Sequence, residues 1–210
     1  MSTPRLAVLV SGGGTTLQNL IDRIADGRLD AEVCLVIASK PGTKGLERAA
    51  RHSIPSCVVE WLGTDRVAEF NEGITRAVDA ARADLVIMGG FLRLWDFPAQ
   101  WDERVINIHP GLLPAFGGQG MYGHHVHEAV LASGAKISGC TVHFASREYD
   151  KGPIILQRTV PVRFTDTPDD IAARVFEQEC EAYPEAIALY GQGRLRIDGG
   201  RVHILPSESA

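Results

Sequence analysis

The chain contains no run of 18 apolar residues, so nothing in it reads as a membrane-spanning helix. It also lacks a basic excess: 21 Lys+Arg stand against 26 Asp+Glu, a formal net charge of −5 and a pI near 5.8. A general nucleic-acid binder carries a basic face and a high pI, so nucleic acid is not an expected partner. Cysteine is scarce and dispersed. Cys34, Cys57, Cys140 and Cys180 form no C-x-x-C pair and are expected as reduced thiols of a cytoplasmic protein. The segment Met1 to Arg5 shows no secretory n-region, h-region or cleavage site, so no leader is expected. Repeats, low-complexity tracts and linkers are missing as well. The rest is ordinary: 210 residues, 45% hydrophobic and 22% charged, have ample apolar surface to offset ordering entropy. One domain spanning 1–210 is the expectation.

Short β-rich runs alternate with helical patterns, the signature of βαβ units. Leu6 to Val10 is continuously apolar, as a strand covered on both faces should be. Further strands are expected at Val33 to Ala38, 57–59, Leu85 to Met88 and Val105 to His109, with helices at 16–25, 45–52, 65–83 and 125–132. Runs at 139–145 and 153–162 adjoin without a long helix between them, which predicts an antiparallel or mixed edge. Thr167-Pro168-Asp169-Asp170 has the spacing of a capping box and opens a helix to about Tyr190. Two short β runs around Asp198-Gly199-Gly200 signal a hairpin. The expected class is α/β: an open, mostly parallel twisted sheet with helices on both faces and a mixed edge near the C-terminus.

Four features carry chemistry. Ser11-Gly12-Gly13-Gly14-Thr15-Thr16 lies between a buried strand and a helix, where free N–H groups and the helix dipole favour an anion. It fails the dinucleotide fingerprint at Leu17 and lacks the Gly-Lys-Ser/Thr of a P-loop. A phosphate monoester is the preferred ligand; a tight turn with nothing bound is the plainer alternative. Asn107 and His109 are i and i+2 on one strand and project to one face, an amide and an imidazole suited to an oxyanion. A satisfied histidine at a strand end stands equal to that reading. The charged loop Glu148 to Pro153 brings Asp150 into play only where it reaches His109. Glu179 falls on the apolar stripe of the last helix, four residues after Val175, and needs either a salt-bridge partner or a cationic ligand. His124-His125-Val126-His127 has the look of a metal tract but no clustered Cys or acid, and no metal is expected. Phe91-Leu92-Arg93-Leu94-Trp95 reads as an apolar lip for a flat heterocycle or as core packing.

In combination, these segments resemble the folate-dependent phosphoribosylglycinamide formyltransferases, a family of purine (IMP) biosynthesis with a Rossmann-like fold. The carrying stretches are Val8 to Gln18, Gly45-Leu46-Glu47-Arg48-Ala49, Gly90-Phe91-Leu92-Arg93, Asn107 to Pro114, Gly139 to Phe144, and Asp150 to Gln157. The Asn-x-His-Pro-x-Leu-Leu-Pro block with a later Asp-x-Gly-Pro is the most specific of them. The resemblance implies formyl transfer from 10-formyltetrahydrofolate, a co-substrate, to the amine of 5-phosphoribosylglycinamide. It implies Asn107, His109 and Asp150 as the catalytic set, with Asn107 also contacting the folate. It puts the substrate phosphate on Gly14, Thr15 and Thr16 and the amine near Glu179. It lays the pterin against Leu92, Arg93, Leu94 and Trp95, with Arg66 on the folate. Partners are then small molecules, in a monomer or homodimer. The family often carries Ser-Asn where this chain has Thr15-Thr16. Two alternatives remain: a formyltetrahydrofolate hydrolase, and a nucleotide-binding α/β module without formyl transfer.

Overall fold

The computed structural model describes residues 3–207. Two compact units divide the chain, residues 1–106 and 107–210, and the division falls inside one strand. Seven strands form a sheet in the order β3-β2-β1-β4-β5-β6-β7, and two more form a separate hairpin.

The first unit holds β1 (Arg5–Val10), α1 (Thr15–Ala25), β2 (Glu32–Ala38), α2 (Lys44–Arg51), β3 (Ser56–Val58), α3 (Val67–Ala80), β4 (Leu85–Met88) and the start of β5 (Val105–His109). β1 pairs in parallel with both β2 and β4, and β2 with β3. Leu6, Ala7, Val8, Leu9 and Val10 are all 0% exposed, so the uninterrupted apolar run is that of a strand buried on both faces. β1, β2 and β3 each end in a loop that leads to the next helix, and β4 ends in one that leads to a 3₁₀ turn at Ala99–Trp101. The glycine loop and the 89–95 lip therefore follow β1 and β4.

The helix expected at 65–83 begins with a 3₁₀ turn at Thr64–Arg66 and ends at Ala80. The early end is a Schellman closure: Arg82 N–H donates to Asp79 O and Ala83 N–H to Val78 O, with Arg82 at φ 51°. Arginine occupies the left-handed position that glycine normally marks.

The second unit holds the rest of β5, α4 (His124–Ser133), β6 (Ile137–Phe144), β7 (Ile154–Pro161), α5 (Pro168–Gly191), and the hairpin β8 (Leu195–Asp198) and β9 (Arg201–Ile204). β6 and β7 are antiparallel, with Ile137 opposite Pro161 and His143 opposite Ile154, which makes the sheet's edge mixed. α5 starts on a complete capping box: Thr167 accepts from the Asp170 N–H, and the Asp170 carboxylate accepts from the Thr167 N–H. Ile171, Val175, Ala182, Tyr183 and Ile187 bury its apolar stripe.

Candidate active site

The expected residues fall into two sets, one in each unit. In the first unit β1 ends at Val10 and the chain turns through Ser11, Gly12, Gly13 and Gly14 into α1. Gly14 is the N-cap of α1 at φ 65°, and no side chain caps the helix. A Cβ on Gly14 would stand 2.7 Å from Gly45 Cα, so glycine is required there by backbone packing against α2. Gly12 and Gly13 face open space. Thr15 is exposed and Thr16 half-buried. The loop thus offers backbone donors at an uncapped helix start, the arrangement that suits an anion.

The lip after β4 is tied back to this loop. Ser11 N–H donates to Gly90 O, and Ser11 Oγ accepts from the Leu92 N–H at 3.1 Å. Leu92 and Arg93 are exposed and Leu94 is half-buried. Trp95 departs from the expected lip. It is 0% exposed, its Nε1–H donates to Asn71 O, and its ring packs on Phe97 and Trp101 at 5.3 and 6.2 Å. Its ring belongs to the core, because a large apolar indole gains more by burial than by lining a wet lip. The half-buried indole beside the lip is Trp61, which sequence reasoning missed; the Arg93 guanidinium lies 5.0 Å from its ring centroid. Arg66 sits in the 3₁₀ turn, exposed and ion-paired with Glu69.

In the second unit the catalytic candidates come together. Asn107 and His109 share one face of β5, and His109 is 3% exposed. Asp150 Oδ2 stands 3.5 Å from His109 Nδ1 and accepts the Gly118 N–H at 2.8 Å. His109 Nε2 lies 2.8 Å from Phe116 O, so that nitrogen carries the proton and donates. Asp150 itself is left-handed, at φ 57°. Gly152 fixes the turn: a Cβ there would lie 1.8 Å from Phe144 O.

His143 on β6 completes the cluster and was not anticipated. Its Nδ1 donates to Phe144 O at 2.8 Å, which leaves Nε2 as an acceptor for the Asn107 amide at 3.1 Å. The same Nε2 stands 3.7 Å from Asp150 Oδ1. The signal was period two, since His143 shares a strand face with Thr141. Thr141 donates to Gly111 O and accepts from the Leu113 N–H, anchoring the segment after β5.

Burial pushes the His109 pKa below its ordinary value, and the Asp150 carboxylate only partly opposes this. The Nε2 donor of the ring is already aimed at an oxygen, the Phe116 carbonyl. Burial pushes the Asp150 carboxyl up, but the adjacent His143 ring, the hydrogen bond from the Gly118 N–H and the nearby His109 outweigh it, leaving the pKa below the usual range.

Glu179 is half-buried and makes no hydrogen bond or ion pair among the described residues, so the internal salt bridge is absent. Burial raises its pKa to about 7. The histidine tract is dispersed: His124 pairs with Asp169 at 2.8 Å, His125 with Glu128 at 3.5 Å, and His127 is buried. Among the described residues no His, Cys, Asp and Glu group has the arrangement of a metal site.

Residues 4–187 match the sequence profile of the Formyl transferase family. The chain belongs to the formyl transferase family. A phosphoribosylglycinamide formyltransferase of Haemophilus influenzae is 33% identical over 195 residues, covering 92% of this chain and 90% of that protein. The trifunctional purine biosynthetic protein adenosine-3 of Gallus gallus is 36% identical over 201 residues, 94% of this chain. This formyl transferase spans only 20% of the length of that relative. The crystal structure of glycinamide ribonucleotide transformylase 1 from Symbiobacterium toebii superposes with a TM-score of 0.87 at 38% identity, covering 97% of this chain and 95% of that one.

Proposed function

We propose that this formyl transferase moves the formyl group of 10-formyltetrahydrofolate to the amine of 5-phosphoribosylglycinamide, as a step of purine synthesis, with residues 1–210 acting as one formyltransferase domain. The observation that carries the reading is the donor geometry at His109. An Nε2–H faces a carbonyl oxygen at 2.8 Å, backed by a carboxylate on the other ring nitrogen. The Phe116 carbonyl marks the place of an oxygen acceptor, and the formyl oxygen displaces it.

The substrate amine attacks the formyl carbon and a tetrahedral intermediate forms, its negative charge on the former carbonyl oxygen. His109 and Asn107 donate to that oxygen. His143 holds the Asn107 amide in orientation by accepting one of its N–H groups. The Asp150 carboxylate beside Nδ1 favours the protonated ring, whose second proton comes from solvent, as negative charge builds on the oxygen that Nε2–H faces. The intermediate collapses with cleavage of the bond from formyl carbon to N10; the proton lost by the amine passes to N10. Gly14, Thr15 and Thr16 hold the phosphate, and Glu179 takes the cationic or polar glycinamide end. Leu92, Arg93, Leu94 and Arg66 contact the folate. No step requires a metal. Four free cysteines suit a reducing, cytoplasmic setting.

The test is an assay of the purified protein with both substrates. Acceptor-dependent loss of 10-formyltetrahydrofolate with formation of the N-formyl product supports the reading. Release of formate at a rate independent of the acceptor overturns it in favour of a hydrolase.

A further inference from the structure

The glycine loop owes its shape to α2. Gly45 N–H, near the start of that helix, donates to Gly12 O at 3.1 Å. Three residues further on, Arg48 Nε donates to Gly13 O at 2.9 Å, and Arg48 Nη1 donates to Gln18 Oε1 at 2.9 Å. In a trans peptide the C=O of one residue and the N–H of the next point in opposite directions. With both carbonyls drawn towards α2, the N–H groups of Gly13 and Gly14 point away from it, and neither has a partner among the described residues. They continue the row of unpaired donors at the start of α1, where no side-chain cap is present. Arg48 is half-buried and anchored at two points, so its charge is fixed beside the loop rather than swinging in solvent.

We infer that Arg48 is a positioning residue for a phosphomonoester: it sets the Gly13–Gly14 peptide so that its N–H faces the phosphate, and it adds a fixed positive charge behind the cradle. This rests on the reading of the glycine loop as the phosphate site. Removing the side chain frees the peptide to rotate, and a rotated peptide presents a carbonyl oxygen to a dianion. The penalty then falls on phosphorylated ligands alone. Gln18 contributes by holding one end of the guanidinium.

The experiment compares 5-phosphoribosylglycinamide with its dephosphorylated nucleoside on wild type, Arg48→Ala and Arg48→Lys. For Arg48→Ala, kcat/KM on the phosphorylated substrate falls roughly tenfold to a hundredfold, the range for a hydrogen bond to a charged group. On the nucleoside it stays within about twofold, and so does KM for the formyl donor. Arg48→Lys, which keeps the charge but loses the forked geometry, recovers part of the loss. Equal losses on both substrates, or none on either, overturn the role of Arg48. A wild-type protein that is indifferent to the phosphate overturns the assignment of the loop itself, and the inference with it. Gln18→Ala keeps the cation while loosening it, so it gives a smaller loss of the same selectivity if the fold tolerates Arg48→Ala poorly.

Discussion

The glycine loop of the first unit and the histidine cluster of the second are built by opposite means. The loop is made of backbone: Gly12 to Gly14 offer N–H groups, and the surrounding side chains serve to fix peptide orientation. The cluster is made of side chains from β5, β6 and the 145–153 segment, and the backbone of residues 116–118 serves to satisfy them. A backbone site tolerates changes of side chain and fails when a Cβ intrudes. A side-chain site fails when one functional group is removed and its neighbours lose their orientation.

The largest effect that follows from this contrast is at the cluster. His109→Ala and Asp150→Asn each lower kcat by about 10²–10⁴-fold at neutral pH, the usual worth of general acid–base participation. The double variant loses little more than His109→Ala alone, because the two act as a unit. Losses that multiply would mean that the two residues work separately.

The glycine loop gives the next effect and separates packing from binding within three residues. Gly14→Ala places a Cβ 2.7 Å from Gly45 Cα at φ 65°, so it destabilises the fold by roughly 2–4 kcal/mol. Gly13→Ala meets nothing within 4 Å, so the melting temperature holds while KM for the phosphorylated substrate rises. Denaturant unfolding and steady-state kinetics on the pair check this. Equal destabilisation by the two changes would contradict the assignment of the space at the Gly14 Cα to packing and of the open space at the Gly13 Cα to the ligand.

The smallest effect concerns Glu179. Its carboxyl titrates at about 7 in the fold against an ordinary 4.5, so the folded state binds more protons than the unfolded one between those values. The stability it supplies is present below pH 4.5 and is lost as the pH rises to about 7. Glu179→Gln removes that loss. The variant melts at a higher temperature than wild type at pH 8, by an amount on the order of 1–2 kcal/mol, and weakens the nucleotide substrate. A variant that melts lower at pH 8 would show that the carboxylate has a partner after all.

How much of this was legible in the sequence depended on whether the signal was local. The strand at Leu6 to Val10, the capping box at Thr167 and the shared face of Asn107 and His109 are read from neighbouring residues, and each formed as its pattern requires. The end of α3 was missed because Arg82 takes the left-handed position without glycine. His143 was missed because its value lies in two partners distant in sequence, Asn107 and Asp150, which only the strand pairing brings near. Trp95 was set on the lip and Trp61 was passed over for a related reason. Apolar character alone does not tell a lip from a core, and the contacts with Phe97, Trp101 and Asn71 decide it.

The central claim is that Asp150 acts on His109 against the pull of burial. NMR titration of the His109 ring in wild type and in Asp150→Asn tests it directly. The wild-type pKa is expected below 6.5 and that of the variant lower still, since the carboxylate opposes desolvation. A pKa that stays put or rises when the carboxylate is neutralised would contradict it.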